Sequence, residues 1–274
     1  TRYWRDWSSD VCSSDLAMTL CRSAISRLLD HGFSALRRAQ PHCGLLLAKG
    51  LASFPDGDKA GEIKAGHIRA IAELGVPDFY RLAFERWQRT TADAQRFAAF
   101  RLPLAGRLYI GVVRDNALET GVTVSHTYGM PLIPGSAVKG LCRASAGRWL
   151  DNPEARRWLF GNDPGEEETT AEMGGLIFHD AWWVPERGEK PFVAEVVTVH
   201  HRAYYGNEGR DPATDFDSPI PAPQIAVRGS FHFVIEGQPL WTRLARRLLE
   251  EGLQQHGIGG KRSSGYGRFA GGSE

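Results

Sequence analysis

Gly129–Arg143 reads GMPLIPGSAVKGLCR. Pro131 and Pro134 stiffen the approach and Gly135 permits a tight turn. Ser136 can N-cap a helix whose apolar positions include Val138, Leu141 and Trp149. The rest of the fold reads outward from this entry into a helix. Upstream, Phe100, Leu102 and Leu104 alternate, and Leu108, Ile110 and Val112 repeat the pattern, which is the period of a strand. Downstream lie a short helical turn in Asp151–Gly161, strands near 174–184 and 193–200, and a polar, Pro-rich loop over His201–Pro223. A strand near 225–236 follows, then an amphipathic helix over Leu240–Gln255 carrying Leu240, Leu244, Leu248 and Leu249, then a short last strand near Tyr266–Phe269. From residue 98 the order is strand, helix, strands, helix, strand. That is the βαββαβ order of an α+β, ferredoxin-like (RRM-like) fold with insertions, expected over 98–274.

Residues 17–97 read as an N-terminal helical extension. Leu20, Ile25, Leu28 and Leu29 form one apolar stripe, and Ile63, Ile68, Ile71 and Leu74 a second, closed by Gly75 and Pro77. Phe79, Leu82, Ala83, Trp87 and Phe97 form a third, while Gly44–Asp58 reads as a connector ending in a Pro-Asp-Gly-Asp turn. Thr1–Leu16 (TRYWRDWSSDVCSSDL) has no hydrophobic period; Asp6–Leu16 matches the translation of a common sequencing adapter, and Thr1–Arg5 reads as its upstream continuation. The segment is expected to be a non-native tail and is set aside from the fold.

The chain of 274 residues is 42% hydrophobic and 24% charged, a globular composition that excludes disorder. Its apolar runs fall short of the roughly 20 residues of a membrane span. Net charge is +1, so any basic surface must be local. Cys12, Cys21, Cys43 and Cys142 form no CxxC, which argues against structural zinc and for a reducing, cytoplasmic compartment.

Two segments carry chemistry. In the first, Lys139 and Arg143 share a helix face at i and i+4 behind Ser136. A hydroxyl, the free N–H groups of a helix start and two stacked cations would cradle a phosphate; the plainer reading is a capped helix with a solvated basic face. The pattern GxxxxGK[ST] is not matched. In the second, Gly257–Phe269 reads GIGGKRSSGYGRF, with glycine for close backbone approach and Lys261, Arg262 and Arg268 for charge. Its plainer reading is a flexible tail. Gly265–Ala270 formally fits G-x-G-x-x-A, but no helix follows, so a dinucleotide site is excluded.

Together these segments resemble the RAMP superfamily of CRISPR proteins, and within it the family of sixth subunits of Cmr (type III-B) effector complexes. The family's Pro-Gly-Ser-x-x-Lys-Gly-x-x-Arg is Pro134–Arg143 here, and its Gly-x-Gly-Gly-Lys-x-Ser-Ser-Gly-Tyr-Gly is Gly257–Gly267. Leu159-Phe160-Gly161, Gly175–Asp180, Val197–His200 and Asp215-Phe-Asp-Ser-Pro219 also fit, whereas Ala137 stands where a second Ser or Thr is common. The resemblance implies an RNA-recognition-like sheet and a non-catalytic subunit that binds the guide RNA backbone and caps the filament of backbone subunits. It implies RNA contacts from Ser136, Lys139 and Arg143, and from Lys261, Arg262, Ser263, Ser264 and Tyr266, with His126 near the RNA path. The implied partners are guide (CRISPR) RNA, target RNA, and the other RAMP and small helical subunits of the complex. No cofactor, metal or membrane is implied.

The remaining candidates have plainer readings. His126 beside the Pro-Gly turn could act as a general base, but a hydrogen-bonding or packing role is the commoner one. His179 alternates with Ile177 and reads as a satisfied sheet residue. Adjacent His200 and His201 cannot both face one side of a strand, which argues against a two-His metal site. Asp215 and Asp217 could hold a cation, or shape a loop that grips a neighbour. Asp163–Glu172 (DPGEEETTAE) reads as a solvated acidic insertion. Trp182-Trp183 places one indole on each sheet face, one for the core and one open to an interface. The competing function is a metal-independent endoribonuclease of the same superfamily that processes guide RNA. A small-molecule enzyme on this fold lacks any supporting motif.

Overall fold

The computed structural model describes residues 40–51, 54–55, 57, 59–111, 118–162, 173–199, 210, 212, 214 and 220–271. Three helices come first: α1 (Cys43–Lys49), α2 (Ala60–Ala72) and α3 (Asp78–Thr90). Then follow β1 (Phe97–Pro103), β2 (Leu132–Ile133), α4 (Gly135–Trp149), α5 (Pro153–Phe160), β3 (Ile177–Phe178) and β4 (Ala181–Trp183). The chain continues through β5 (Phe192–Val199), β6 (Ile220–Val227), β7 (Ser230–Glu236) and α6 (Pro239–Gln255) to a 3₁₀ turn at Arg262–Ser264.

β7 is the centre of the main sheet. It pairs antiparallel with β1 from Phe97↔Glu236 to Pro103↔Ser230. Its other edge takes β3 and β4 end to end, at Ile177↔Glu236 and Trp182↔His232, and β2 adds beyond β4. A bridge between Leu104 and Phe269 brings the chain's last extended segment beside β1. The spatial order of the four ferredoxin strands is therefore fourth, first, third, second, with β2 as an extra edge. The expected βαββαβ topology is the one observed.

One face of this sheet carries the helices α4 and α6. Phe100, Phe231, Phe233, Val138, Leu141, Ala245, Leu249 and Leu253 are buried there, with Phe100 stacked on Phe233 and Phe269 edge-on to Phe233. The opposite face is roofed by α3. Tyr80 and Trp87 both stack with Trp182, and Phe84 meets His232 edge-on. An RRM reads RNA with exposed aromatics on the sheet face. Here those aromatics are engaged by the chain's own helix, so RNA contacts of that kind are not available. Trp182 packs under α3, while Trp183 is fully buried and donates its indole N–H to the Arg228 carbonyl at 2.7 Å.

β5 and β6 form a separate antiparallel ribbon, Phe192↔Val227 to Val199↔Ile220, with α2 packed against it. The sequence pattern predicts one strand through 225–236. The chain divides there because Arg228 is held aside: its N–H donates to Pro191 O, its Nε to Lys190 O, and its carbonyl receives Trp183. β6 also begins earlier than expected, at Ile220. Pro221 and Pro223 sit at alternate positions, opposite Thr198 and Val196, so both missing N–H groups point away from the ladder.

Several other expectations change. Gly44–Asp58 is not wholly a connector, because His42 caps α1 by accepting from Leu45 N through Nδ1 at 3.1 Å. On α3 the core face is Tyr80 and Phe84, whereas Phe79 and Leu82 are exposed. Phe97 opens β1 rather than extending that helix. Ile63 is exposed, but Ile68, Ile71 and Leu74 are buried as expected. The 174–184 strand is two short strands, interrupted at His179 and Asp180. Cys43 and Cys142 are free thiols whose pKa burial pushes up to about 12. Among the described residues no helix is long and apolar enough to cross a membrane. The tail 1–16, the stripe at Leu20–Leu29, the acidic run 163–172, His200, His201, Asp215 and Asp217 lie outside the described residues.

Candidate nucleic-acid interface

The helix start does not form the expected cradle. α4 begins at Gly135, with Pro134 as its cap residue, so Ser136 is already inside the first turn and exposed. The Gly135 N–H donates to the Asp180 carboxylate at 2.7 Å. A carboxylate at a helix N-terminus satisfies an orphan donor and takes the place a phosphate would want. Glycine is required at 135 because a Cβ would overlap the Phe178 carbonyl oxygen.

Lys139 and Arg143 do share a face. Partial burial lowers the Lys139 pKa, and the neighbouring Arg143 charge adds to this. Arg143, however, is turned inward. Its guanidinium donates to the carbonyls of Phe160, Gly161 and Asn162 at 2.9, 3.3 and 3.2 Å, and lies over the Phe160 ring. It thereby closes the C-terminus of α5, whose last carbonyls have no partner within the helix. That is a packing role the i, i+4 spacing could not reveal.

The glycine-rich segment is an ordered loop. Ile258 N donates to Gly267 O, Gly260 N to Tyr109 O, and Gly267 N to Arg107 O, at 2.9, 2.7 and 2.7 Å. Gly259 (φ 88°) and Gly267 (φ 73°) occupy left-handed backbone, and a Cβ on either would overlap the carbonyl oxygens of Tyr109 or Ile258. These glycines therefore serve the loop's own crossing. Gly265 is different: it is exposed, with open space around it.

Between those pins the tip is fully presented. Lys261, Arg262, Ser263 and Ser264 are all exposed, as is Arg268, and the tip is shaped by the 3₁₀ turn with Lys261 itself at φ 54°. Tyr266 is half-buried. Its ring lies 4.6 Å from that of buried Tyr109, and its hydroxyl donates to Glu195 on β5 at 3.4 Å. Arg107 pairs with the same carboxylate. Glu195, Arg107 and Tyr109 were not among the residues singled out from sequence. Nothing local marks Glu195 as the floor of a loop 71 residues away.

The two motifs are far apart. α4 and α6 run side by side in one direction: the Cys142 thiol reaches Ala245 O, Gly252 abuts Ser145, and Arg148 reaches His256. Only the far end of α4 therefore adjoins the loop. At 1.5 Å per residue, Ser136 stands about 18 Å from Arg148 along the axis. Lys139 and the loop tip are separate basic points on the surface rather than one pocket.

His126 lies in the turn before β2, with an exposed side chain; its carbonyl accepts from His42 Nε2 at 2.9 Å. His179 donates from Nε2 to the Glu236 carboxylate at 2.9 Å, beside Arg96 and the Trp87 ring, which is the satisfied sheet residue expected.

The description "RAMP superfamily" belongs to a family model that matches residues 101–270. The chain is 26% identical over 220 residues to the CRISPR system Cmr subunit Cmr6 of Pyrococcus furiosus, covering 60% of this chain and 64% of that protein. It is 27% identical over 176 residues to the CRISPR system CMR subunit Cmr6 of Saccharolobus solfataricus, covering 62% and 56%. The chain thus spans less than two thirds of the length of these curated relatives. A chain in the cryo-EM structure of the Type III-B Cmr-beta bound to cognate target RNA is similar in fold, with a TM-score of 0.61 at 17% identity over 93% of each chain.

Proposed function

This chain belongs to the RAMP superfamily, and from that premise we propose that it is a non-catalytic subunit of a type III-B CRISPR effector complex. It holds guide RNA by its backbone and caps the filament of backbone subunits. The observation that carries the reading is the exposed tip Lys261–Ser264, two cations and two hydroxyls on a turn fixed by three backbone bonds at its base. Such a turn meets phosphates without first paying to order itself, and cations and hydroxyls are the groups that contact a nucleic-acid backbone. The similarity to Cmr6 proteins supports the assembly part of the proposal, and guide RNA, target RNA and the other subunits of the complex are its partners.

The roofed sheet face supports backbone contact over base reading, because Trp182 is taken up by Tyr80 and Trp87. Lys139 supplies a second contact about 14 Å along α4 from Arg148, so a strand touching both would track that helix. Purification of the tagged chain from its native host tests the proposal. Co-purifying CRISPR RNA and further RAMP subunits are expected, and a chain recovered without RNA under low salt contradicts it.

A further inference from the structure

The apolar face of α6 is only partly covered by the fold. Thr242, Ala245, Leu248, Leu249, Gly252 and Leu253 are buried in the core. Trp241 and Leu244 are half-buried against the core, Leu240 is 69% exposed, and the three line a groove of about 850 Å³ with Leu150 and Ala155. The sequence period places Leu240 on the core stripe, and it lies outside the core. Trp241 is stacked on Trp158 of α5 at 4.6 Å, which fixes the groove's floor.

Charge borders the groove. Arg243, Arg246 and Arg247 stand along α6, with Glu250 as the acidic residue there; Arg246 is already paired with Glu250 at 2.8 Å. Beyond Leu150 and Asn152, which the groove shares with an adjoining hollow, stand exposed Asp151 and Glu154. From Leu240 to Glu250 the groove follows α6 for about 15 Å, or three helical turns.

We infer that this groove docks an amphipathic helix of a neighbouring subunit, with carboxylates along the flank that meets Arg243 and Arg247 and basic residues along the flank that meets Asp151 and Glu154. An apolar stripe at i, i+3/i+4 and i+7 seats against Leu240, Trp241 and Leu244, and the flanking charges set direction and register. An exposed apolar strip rimmed by charge marks a protein contact. The complementarity is bipolar, which a uniformly negative RNA strand does not match. The inference rests on the assembly reading for the source of the partner, and not on the RNA contacts.

The test uses the complex assembled on a tagged chain carrying p-benzoylphenylalanine in place of Leu240, with photo-crosslinked peptides read by mass spectrometry. A crosslink to a helical, apolar-striped, acid-flanked segment of another subunit is expected. The paired variant Arg243→Glu/Arg247→Glu should lose that subunit about tenfold or more, from like-charge contact at the rim, while keeping guide RNA. Crosslinks only to a second copy, to RNA, to the chain itself or to nothing overturn the inference, as does retention of the subunit by the paired variant. If the unmodified chain brings down neither RNA nor subunits, the complex reading falls with it. If it brings down the complex and the groove stays uncrosslinked, this inference alone falls.

Discussion

The Arg143 guanidinium donates to the Phe160 carbonyl at 2.9 Å and lies over the same residue's ring. This one relationship separates the two cations of the Pro-Gly-Ser segment. Arg143 belongs to the packing of α4 on α5, and Lys139 to the surface.

Arg143→Ala should therefore cost stability of about 2 kcal/mol, since it removes a charged donor from three carbonyls and leaves half-buried acceptors unpaired. Denaturant unfolding measures it. Lys139→Ala should stay within about 0.5 kcal/mol of the parent, as surface substitutions do. An Arg143→Ala protein of unchanged stability but weaker RNA retention would return Arg143 to the phosphate path.

At the loop base, Gly267→Ala should destabilise by about 2 kcal/mol or more, combining the left-handed backbone cost with overlap on Ile258. Gly265→Ala meets open space and should cost only about 1–2 kcal/mol for its φ of 87°. Thermal unfolding of the two variants, with trypsin cutting after Lys261 and Arg262 as a second readout, checks the ranking. Equal effects would contradict the crossing described for Gly267.

His232 gives stability a pH dependence. It is buried, neither ring nitrogen has a hydrogen-bond partner, and burial with the Arg101 charge holds its pKa down at about 4. In the unfolded chain the ring protonates through about 6.5. Between those values the unfolded state binds more protons, so stability falls as pH drops. The loss amounts to about 2 kcal/mol from pH 7.5 to pH 5. His232→Leu should remove that part of the slope, and unfolding curves of both proteins that stay parallel over this range would contradict the assignment.

On catalysis, His126→Ala should leave target-RNA cleavage by an assembled complex within a few-fold of the parent. A loss of about 10²-fold with assembly intact would make His126 a general acid or base and overturn the non-catalytic proposal.

The topology was legible because Phe100 and Leu102 alternate cleanly and α4 and α6 carry long apolar periods, so the βαββαβ order survives errors at single boundaries. The misreadings have distinct physical sources. Pro221 and Pro223 look like loop residues until their alternate places opposite Thr198 and Val196 turn the missing N–H positions away from the ladder. Leu240 shares the helical period of the core residues but stands exposed in the first turn of α6. Phe79 and Leu82 fit the apolar stripe of α3 as well as Tyr80 and Phe84 do, because the apolar side is wide and its buried half is set by what packs on it. At the interface, the residue types of the loop tip were legible, while its supports were not. Glu195 and Asp180 act through contacts 71 and 45 residues away in sequence, to Tyr266 and Gly135. The turned-in Arg143 shows the same limit, since its partners are carbonyls that no side-chain motif displays.

The central claim is that the Lys261–Arg262 tip holds an RNA backbone, and its salt dependence tests this most directly. Binding of single-stranded guide RNA is measured from 50 to 300 mM salt, over which the Debye length shrinks about 2.4-fold, for the parent, for Lys261→Ala/Arg262→Ala and for Lys49→Ala/Lys59→Ala. The last pair removes two exposed cations from the helical N-terminal part. Lys64 would not serve there, because its ammonium is tied to Glu119 at 2.6 Å. The account predicts that the slope of log K against log salt becomes shallower by about 0.7 per lost phosphate contact, or about 1.4 for the tip pair, with affinity falling across RNA sequences alike. The control pair should leave the slope unchanged. Equal slopes for all three proteins, or an equal loss in the control, would contradict it.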